Sequence, residues 1–297
     1  MKEDIYLTLD TLRKKALLLI AAGGLAVLLG VLLMFGLRMG PLGLAIVLVG
    51  AVPLLFGYKT YSKYEQGYKH GLVETALRSV FTDLDFEPER GFDEEFLKNT
   101  GMIDMGNRYS SDDYIYGSYE DVRFERSDIC IQQVTSTGKT TTVVTLFEGP
   151  WMVFDFNKPF RCDLQVAEKG FGSNRSHTGI FGLGGYMEKI QTESEAFSSR
   201  FNVYAEDDHE AFYILTPHMM ERITALSEHS NGKLMLCFIK KRLHVAVNNG
   251  ENAFEPSLFS PPDKKAAAGI LDEIREITSF VTQLNLSSEL YMMKERD

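Results

Sequence analysis

The sequence predicts an α+β protein with an N-terminal transmembrane helical hairpin followed by a cytoplasmic domain of mainly antiparallel sheet with flanking helices. Three observations predict this architecture: two long apolar runs lie near the N-terminus, strand-type segments with short connections begin near residue 114, and few amphipathic helical segments interrupt them. Strands joined by short turns pair in antiparallel fashion, which favours α+β over the alternating α/β class.

The hairpin is predicted by residues 16–37 and 39–58, which are uncharged and are separated only by Arg38. At about 1.5 Å per residue, each run forms a helix of roughly 30 Å, enough to cross a hydrocarbon core of about 30 Å. A secretory signal is the alternative, but the first run is too long for a signal and no small-residue cleavage site follows it. We therefore expect two retained transmembrane spans in contact with the lipid bilayer.

Positive charges flank the hairpin on both sides. The basic triplet at residues 13–15 precedes the first span and three lysines lie within residues 59–69, whereas the turn between the spans holds only Arg38. Flanking Lys and Arg residues stay on the cytoplasmic side of a membrane. We expect a multi-pass protein of the plasma membrane with both termini in the cytoplasm.

Small residues recur every seven positions along each span. They are Ala16, Gly23, Gly30, Gly43, Gly50 and Gly57. A seven-residue period keeps one stripe facing a neighbouring helix, and small side chains let two backbones approach closely in lipid. We predict that transmembrane packing follows this stripe; the alternative is that glycine is simply common in membrane helices.

Residues 59–101 are predicted to form juxtamembrane helices. Apolar residues from Tyr61 to Leu84 recur at spacings of three and four, which predicts a helix that ends near Pro88, and Asp93 is a plausible N-cap for a short helix after it. The chain then divides into residues 1–58 with the hairpin, residues 59–101, and a cytoplasmic α+β domain of residues 102–297.

Aromatic and β-branched residues mark the strands of this domain, and Thr137-Gly138-Lys139 predicts a hairpin turn. The predicted strands are 114–119, 122–134, 140–147, 151–156, 161–166, 201–205, 211–215, 234–239 and 243–247. Thr216-Pro217 predicts the start of a helix. Asp263 predicts the cap of a long amphipathic helix whose apolar stripe runs to Leu284.

Charge and cysteine content exclude several classes of function. Of the 31 basic and 41 acidic residues, five and three lie in residues 1–58, which leaves a formal net charge of −12 for residues 59–297. So acidic a domain is a poor candidate for binding nucleic acid. Cys130, Cys162 and Cys237 match neither a disulfide framework nor a zinc pattern, so we expect reduced thiols.

Two local motifs that resemble a phosphate-binding loop and a metal site are predicted to be turns. Gly138-Lys139-Thr140 lacks the first glycine and the following helix of a phosphate-binding loop. The acidic run Glu206 to Glu210 contains His209, but adjacent residues in a tight turn cannot all converge on one ion. We predict no catalytic residue, no cofactor and no metal site from local patterns.

The segment 170–185 is rich in glycine yet contains large apolar side chains. These are Phe171, Ile180, Phe181 and Leu183. A flexible linker does not need such side chains. They are candidates for contact with a partner protein or lipid, and the alternative is that they cover the core of their own domain.

Three motifs occur together in the second half of the chain: Phe197-x-x-x-Phe201-Asn202-Val203-Tyr204 with the residues that follow it, Phe154 to Phe160, and Phe254-Glu255-x-Ser257-Leu258-Phe259. In these motifs and in its two N-terminal spans, the sequence resembles a bacterial family of two-span inner-membrane proteins known as domain of unknown function 3137. It implies a bacterial inner-membrane protein with a cytoplasmic domain and a protein partner, either a LemA-type membrane protein or a second copy. The family supplies no catalytic residues.

Two hypotheses of different classes follow. The first is a membrane-anchored interaction or scaffolding module, in which a sheet edge, the apolar loop or the last helix receives another protein. The second is a membrane-bound hydrolase or nucleotide-binding enzyme. Its site would be assembled from the dispersed residues Glu148, Asp155, His177, His209 and His244. We favour the first, because no local pattern signals a catalytic site.

Overall fold

The computed structural model describes residues 2–155, 160, 162–171 and 187–286. The chain divides into two compact units, one of residues 1–77 with 254–272 and the other of residues 78–253 with 273–297. This division differs from the boundaries at 58 and 101 that the sequence suggested. The reason is that residues 82–87 join the sheet and that residues 255–258 bond to the N-terminal helices.

Two antiparallel helices dominate the first unit, α1 (Lys2–Phe35) and α2 (Gly40–Tyr68). Pro41 lies in the first turn of α2, where its missing N–H leaves no hydrogen bond unmade. Among the described residues, two helices are long and apolar enough to cross a membrane, and these α1 and α2 segments supply them. A π-helical turn (Lys69–Val73) and the short α3 (Glu74–Arg78) continue the second helix.

The segment 255–258 is held against both helices by hydrogen bonds within the first unit. Arg13 Nη1 donates to the Leu258 carbonyl at 2.9 Å, and Tyr64 Oη donates to the Ser257 carbonyl at 3.3 Å. Lys69, which is almost fully buried, places its Nζ 2.6 Å from a Glu255 carboxylate oxygen. Residues that are nearly 200 positions apart in the chain therefore belong to one unit.

The second unit is built on one antiparallel sheet, with nine strands in the described residues. Its strands are β1 (Thr82–Glu87), β2 (Arg108–Tyr119), β3 (Val122–Ser136), β4 (Thr141–Asp155), β5 (Leu164–Glu168), β6 (Glu188–Ile190), β7 (Phe201–Ala205), β8 (Lys233–Ile239) and β9 (Arg242–Asn248). The order across the sheet is β1-β2-β3-β4-β9-β8-β5-β7-β6. The α+β class, with apolar N-terminal helices followed by an antiparallel sheet, is confirmed.

Helices lie on both faces of this sheet. They are α4 (Glu94–Lys98), α5 (Glu195–Arg200), α6 (Asp208–Ile214), α7 (Pro217–His229) and α8 (Lys264–Leu284). Side chains alternate along a strand, so Trp151 packs in the core beneath Leu97 of α4, whereas Phe154 points to the opposite face and meets Phe280 of α8. The second unit is therefore a sheet with an apolar core on each side.

Glu168 on β5 connects α7 and β8 of this unit through the hydrogen bonds that its carboxylate accepts. It accepts hydrogen bonds from the Ser227 hydroxyl at 2.7 Å, from Lys233 Nζ at 3.0 Å and from the Leu234 N–H at 3.2 Å. Burial opposes its ionisation, but these hydrogen bonds together lower the pKa of Glu168 below its ordinary value. The residue therefore ties α7 and β8 to β5.

Two local expectations from the sequence were wrong. Residues 82–87 form edge strand β1, paired with β2, instead of continuing the juxtamembrane helix. Residues 211–215 lie in and just after helix α6 instead of forming a strand, because the Asp207 carboxylate caps that helix by accepting the Glu210 N–H at 3.0 Å. In both cases the apolar spacing was too short to separate strand from helix.

Candidate functional site

The six small residues predicted to pack α1 on α2 are buried, and the glycines lie in the contact between the helices. A Cβ built on Gly23 would lie 2.9 Å from the Gly50 carbonyl oxygen, and one on Gly30 would lie 2.8 Å from the Gly43 carbonyl oxygen. Ala16 is fully buried as well. Gly57 would meet Ile20 in the same way. The two backbones therefore approach as closely as only glycine permits at these positions.

Substitution of Gly23 by leucine is expected to destabilise the helix pair by about 1–3 kcal/mol, because the added side chain meets the Gly50 backbone and Leu54. Gly24→Leu is the matched control, since a Cβ on Gly24 would meet nothing within 4 Å. The measurement is the thermal unfolding midpoint of each purified variant in mild detergent. Equal midpoints for the two variants would contradict a close-packed contact at Gly23.

A buried ion cluster lies in the second unit, formed by Arg126, Asp128 and Glu273. Arg126 is 1 % exposed and donates two hydrogen bonds to the Asp128 carboxylate, at 2.9 and 3.0 Å. A Glu273 carboxylate oxygen on α8 lies 3.7 Å from the same guanidinium. Such a two-pronged contact is the strongest geometry for an arginine and a carboxylate.

A β-bulge brings two further carboxylates to this cluster. Asp112 pairs with Asp128 and Ile115 pairs with Arg126, so two residues of β2 lie opposite one of β3. The extra residue, Asp113, adopts a left-handed backbone with φ of 51°. Carboxylate oxygens of Asp112, Asp113 and Asp128 consequently lie within 4.8 Å of one another.

The role of this cluster is to stabilise the fold. Burial raises the pKa of Asp128 to about 6, although Arg126 opposes that shift. Both Asp128 oxygens accept a hydrogen bond from Arg126, and this positive charge disfavours a cation beside the same carboxylate. The neighbouring cavity, bounded by Asp112, Glu148 and Glu251 among others, has a volume of about 40 Å³, which is room for little more than one water molecule.

A larger cavity lies where the β8–β9 turn approaches α4, and we call it the His244 cavity. Its volume is about 470 Å³. It is lined by Phe96, Asn99, Thr100, Ile239, Lys240, Lys241, Arg242 and His244. The ring of Phe96 lies 5.7 Å from the ring of His244. The cavity is thus partly aromatic and has three cationic residues in sequence along one side.

His244 is held in one orientation by the tryptophan beside it. Trp151 Nε1–H donates to His244 Nδ1 at 3.3 Å, and both side chains are buried. Burial, with a smaller contribution from Arg242, lowers the pKa of His244 to about 3. The imidazole is therefore neutral at pH 7, and because Nδ1 accepts a hydrogen bond its proton is on Nε2.

The residues considered for an enzyme site do not converge among the described residues. Glu148 borders the small acidic cavity, and His244 borders the larger one. Asp155 carries a carboxylate oxygen 3.5 Å from Arg242 Nε and is not part of either lining. His209 is on the exposed side of α6, and His177 lies outside the described residues. Glu148 and the His244 imidazole therefore border different cavities, and Asp155 borders neither.

Of the four candidate contact residues, Phe171 is the one that lies within the described residues. Phe171 is 9 % exposed and its ring centroid lies 5.8 Å from that of Phe147, so this side chain covers the sheet's core. Ile180, Phe181 and Leu183 lie outside the described residues. A separate segment, the acidic run 206–210 considered above for metal binding, contains the N-cap and the first turn of α6.

Sequence reasoning missed the ion cluster and the His244 cavity. Arg126 and Glu273 are far apart in the chain, and Phe96 and His244 are brought together by tertiary packing alone. A usable signal was present for the cavity, because Lys240, Lys241 and Arg242 form the longest run of basic residues after residue 58. For the cluster no comparable sign was present, because Arg126 stands in a polar stretch between Glu125 and Ser127.

Comparisons with known proteins support the family resemblance. Residues 145–286 match the family described as "Protein of unknown function (DUF3137)", which confirms the resemblance seen in the motifs. No curated protein matches the chain. The crystal structure of the mycobacterial trehalose monomycolate transport factor A is similar over 74% of this chain and 96% of that chain, with 10% identity and a TM-score of 0.39. A TM-score at this level carries no functional argument.

Proposed function

We propose that this chain, whose residues 145–286 match the DUF3137 family, is a membrane-anchored module that binds another protein at the cytoplasmic side of a bacterial inner membrane. In this proposal α1 and α2 span the bilayer, both termini are cytoplasmic, and helix α6 of the second unit carries the interaction surface. The function is scaffolding or interaction, without catalysis.

The observation that carries the proposal is the exposed apolar surface of α1 and α2. Side chains that point away from the contact between the two helices are largely exposed, as in Leu25 at 69 %, Leu28 at 68 % and Leu55 at 67 %. Monomeric soluble proteins rarely expose continuous apolar surface of this kind. A hydrocarbon environment accommodates it without cost, because each helix satisfies its own backbone hydrogen bonds.

The orientation rests on the distribution of charge. Basic residues 13–15 and three lysines of residues 59–69 flank the spans on the side of the termini, and Arg38 alone lies in the turn. This asymmetry favours cytoplasmic termini. The acidic second unit would then work in the cytoplasm, where the free thiols of all three cysteines remain reduced.

An exposed aromatic pair on α6 supports the choice of an interaction module. Tyr213 is 81 % exposed and Phe212 is 38 % exposed, beside the acidic turn that begins at Glu206. Exposed tyrosine and phenylalanine are over-represented where proteins bind one another. The partner we propose is a LemA-type membrane protein or a second copy of this chain, as the family resemblance implies.

Labelling of single introduced cysteines tests the anchoring and the orientation. A membrane-impermeant maleimide applied to intact spheroplasts should label Met39→Cys, in the turn after α1, and should label Lys139→Cys, in the β3–β4 turn, only after lysis. The parent chain with its three native cysteines is the background control. Labelling of Lys139→Cys in intact spheroplasts, or loss of the protein from membranes in carbonate, would contradict the proposal.

Site-specific photo-crosslinking tests the interaction. A photoreactive amino acid at Tyr213 should give a discrete crosslinked product containing either a LemA-type protein or a second copy of this chain, identified by mass spectrometry. The same photoreactive amino acid placed at Lys139, which is also exposed but lies in a polar turn, is the control. Identical products from the two sites, or none from Tyr213, would count against a specific surface on α6.

A further inference from the structure

We propose that the His244 cavity binds a small amphiphilic anion, a molecule with a phosphate or carboxylate head and an apolar tail. The head would lie by the cationic side of the cavity and the tail against its aromatic and aliphatic walls. This inference goes beyond the interaction module and does not depend on it, because it rests on residues of the second unit alone.

The size and walls of the cavity suit an apolar group. A volume of about 470 Å³ lies within the range of roughly 300–1,000 Å³ that small-molecule sites occupy in proteins. Phe96 and Ile239 are partly buried and line it, and the ring of His244 adds a third flat or apolar surface. Inorganic phosphate is not the preferred occupant, because an ion of that size would leave most of the cavity unfilled and its apolar walls without contacts.

The charge on one side of the cavity selects an anion. Lys240 and Lys241 are exposed at the β8–β9 turn, and Arg242 follows them at the start of β9. Arg242 is shared with acidic neighbours, because its guanidinium lies 3.5 Å from carboxylate oxygens of both Glu125 and Asp155. The two lysines, of which Lys240 also interacts electrostatically with the Asp163 carboxylate, therefore supply the positive charge for a ligand.

His244 adds a neutral donor inside the cavity. Its Nδ1 is taken by Trp151, which leaves Nε2–H as the ring's donor. A neutral N–H can bind a phosphate or carboxylate oxygen without the desolvation penalty of a second buried charge. The combination of an outer pair of cations, an inner neutral donor and apolar walls matches an anionic head joined to a tail.

Trp151 makes the proposal directly measurable, because it is the only tryptophan in the chain and it touches His244. The full chain is reconstituted in phosphatidylcholine nanodiscs, so that no detergent competes for the cavity, and octyl phosphate is added below its micelle concentration. A saturable change in tryptophan fluorescence is expected. Ethyl phosphate and inorganic phosphate should bind at least about tenfold more weakly, since they lack the tail.

The cationic requirement is tested with a matched pair of double variants. Lys240→Ala/Lys241→Ala should weaken octyl phosphate binding by about tenfold or more. Lys264→Ala/Lys265→Ala removes two other exposed adjacent lysines, at the start of α8, and should bind like the wild type. Because all four lysines are exposed, neither double variant is expected to impair folding, and circular dichroism verifies this.

The source of the anion is distinguished in a separate arm. Nanodiscs that contain phosphatidylglycerol should shift the fluorescence without added ligand if a membrane lipid headgroup is the occupant, and a shift with octyl phosphate alone indicates a soluble amphiphile; either result supports the proposal. The proposal is overturned if octyl phosphate gives no saturable change, if inorganic phosphate binds as tightly, or if the Lys240→Ala/Lys241→Ala variant binds like the wild type.

Discussion

Replacement of Arg126 by methionine is expected to reduce the free energy of unfolding by about 3–5 kcal/mol. The substitution keeps most of the volume but removes the only cation of the buried ion cluster in the described residues. Asp128, 2 % exposed, would lose both of its hydrogen bonds from the guanidinium, and Glu273 would lose its nearby positive charge. Leaving a buried carboxylate without a compensating partner is among the most destabilising changes in a protein core.

Arg90→Met is the matched control for this prediction. Arg90 also pairs with a carboxylate, Glu87, at 2.6 Å, but both side chains are about half exposed. Water screens such a pair, so the expected loss is no more than about 1 kcal/mol. Thermal unfolding of both variants in mild detergent, followed by circular dichroism, gives the comparison.

A second variant tests the buried ion cluster if Arg126→Met does not fold. Asp128→Asn replaces one acceptor oxygen with an NH2 donor and loses one of the two hydrogen bonds from Arg126, so its unfolding midpoint should also fall below that of Arg90→Met. An Arg126→Met loss as small as that of Arg90→Met would show that the buried ion cluster contributes nothing beyond a surface pair.

Acidification is expected to destabilise the folded protein through His244 between pH 6.5 and about 3. The pKa of this histidine is about 3 in the folded protein and 6.5 as the ordinary value. Below pH 6.5 the unfolded chain therefore binds a proton that the folded chain does not, and stability falls as pH falls until both forms are protonated. A shift of this size corresponds to roughly 5 kcal/mol over the whole window.

His244→Gln tests this pH dependence, because glutamine can accept the Trp151 N–H but does not titrate. The difference in unfolding midpoint between pH 7 and about pH 4.5 should be smaller in the variant than in the wild type. His218→Gln, at an exposed histidine in the first turn of α7, is the control and should follow the wild type. A wild-type profile in His244→Gln would mean that other groups cause the acid sensitivity.

Local patterns predicted much of the fold. The sequence marked the helix pair, most strands and the helices that begin at Thr216 and Asp263, because periodicity and capping residues act over a few positions. The errors at residues 82–87 and 211–215 arose where a short apolar stretch fits both a strand and a helix. Pairing with β2 decided the first and the Asp207 cap decided the second.

The candidate sites were harder to predict from the sequence than the fold. His244 was considered for catalysis, yet its contact with Trp151, 93 residues away, and the cavity beside it depend on how β4, β9 and α4 pack. Asp128 and Asp112 were not considered, because the bulge at Asp113 that gathers the carboxylates is a property of strand register. Register between distant strands leaves no periodic trace in the sequence.

The sequence by itself determined the apolar helices, the seven-residue recurrence of glycine along them, the acidic character of the rest and the antiparallel strands, since each depends on composition or on neighbours within a few residues. Tertiary structure alone decided that Arg126 meets Glu273 and that Lys240 shares a cavity with Phe96. Burial and hydrogen bonding select these contacts only after the whole sheet has formed, because the groups that satisfy each other come from distant parts of the chain.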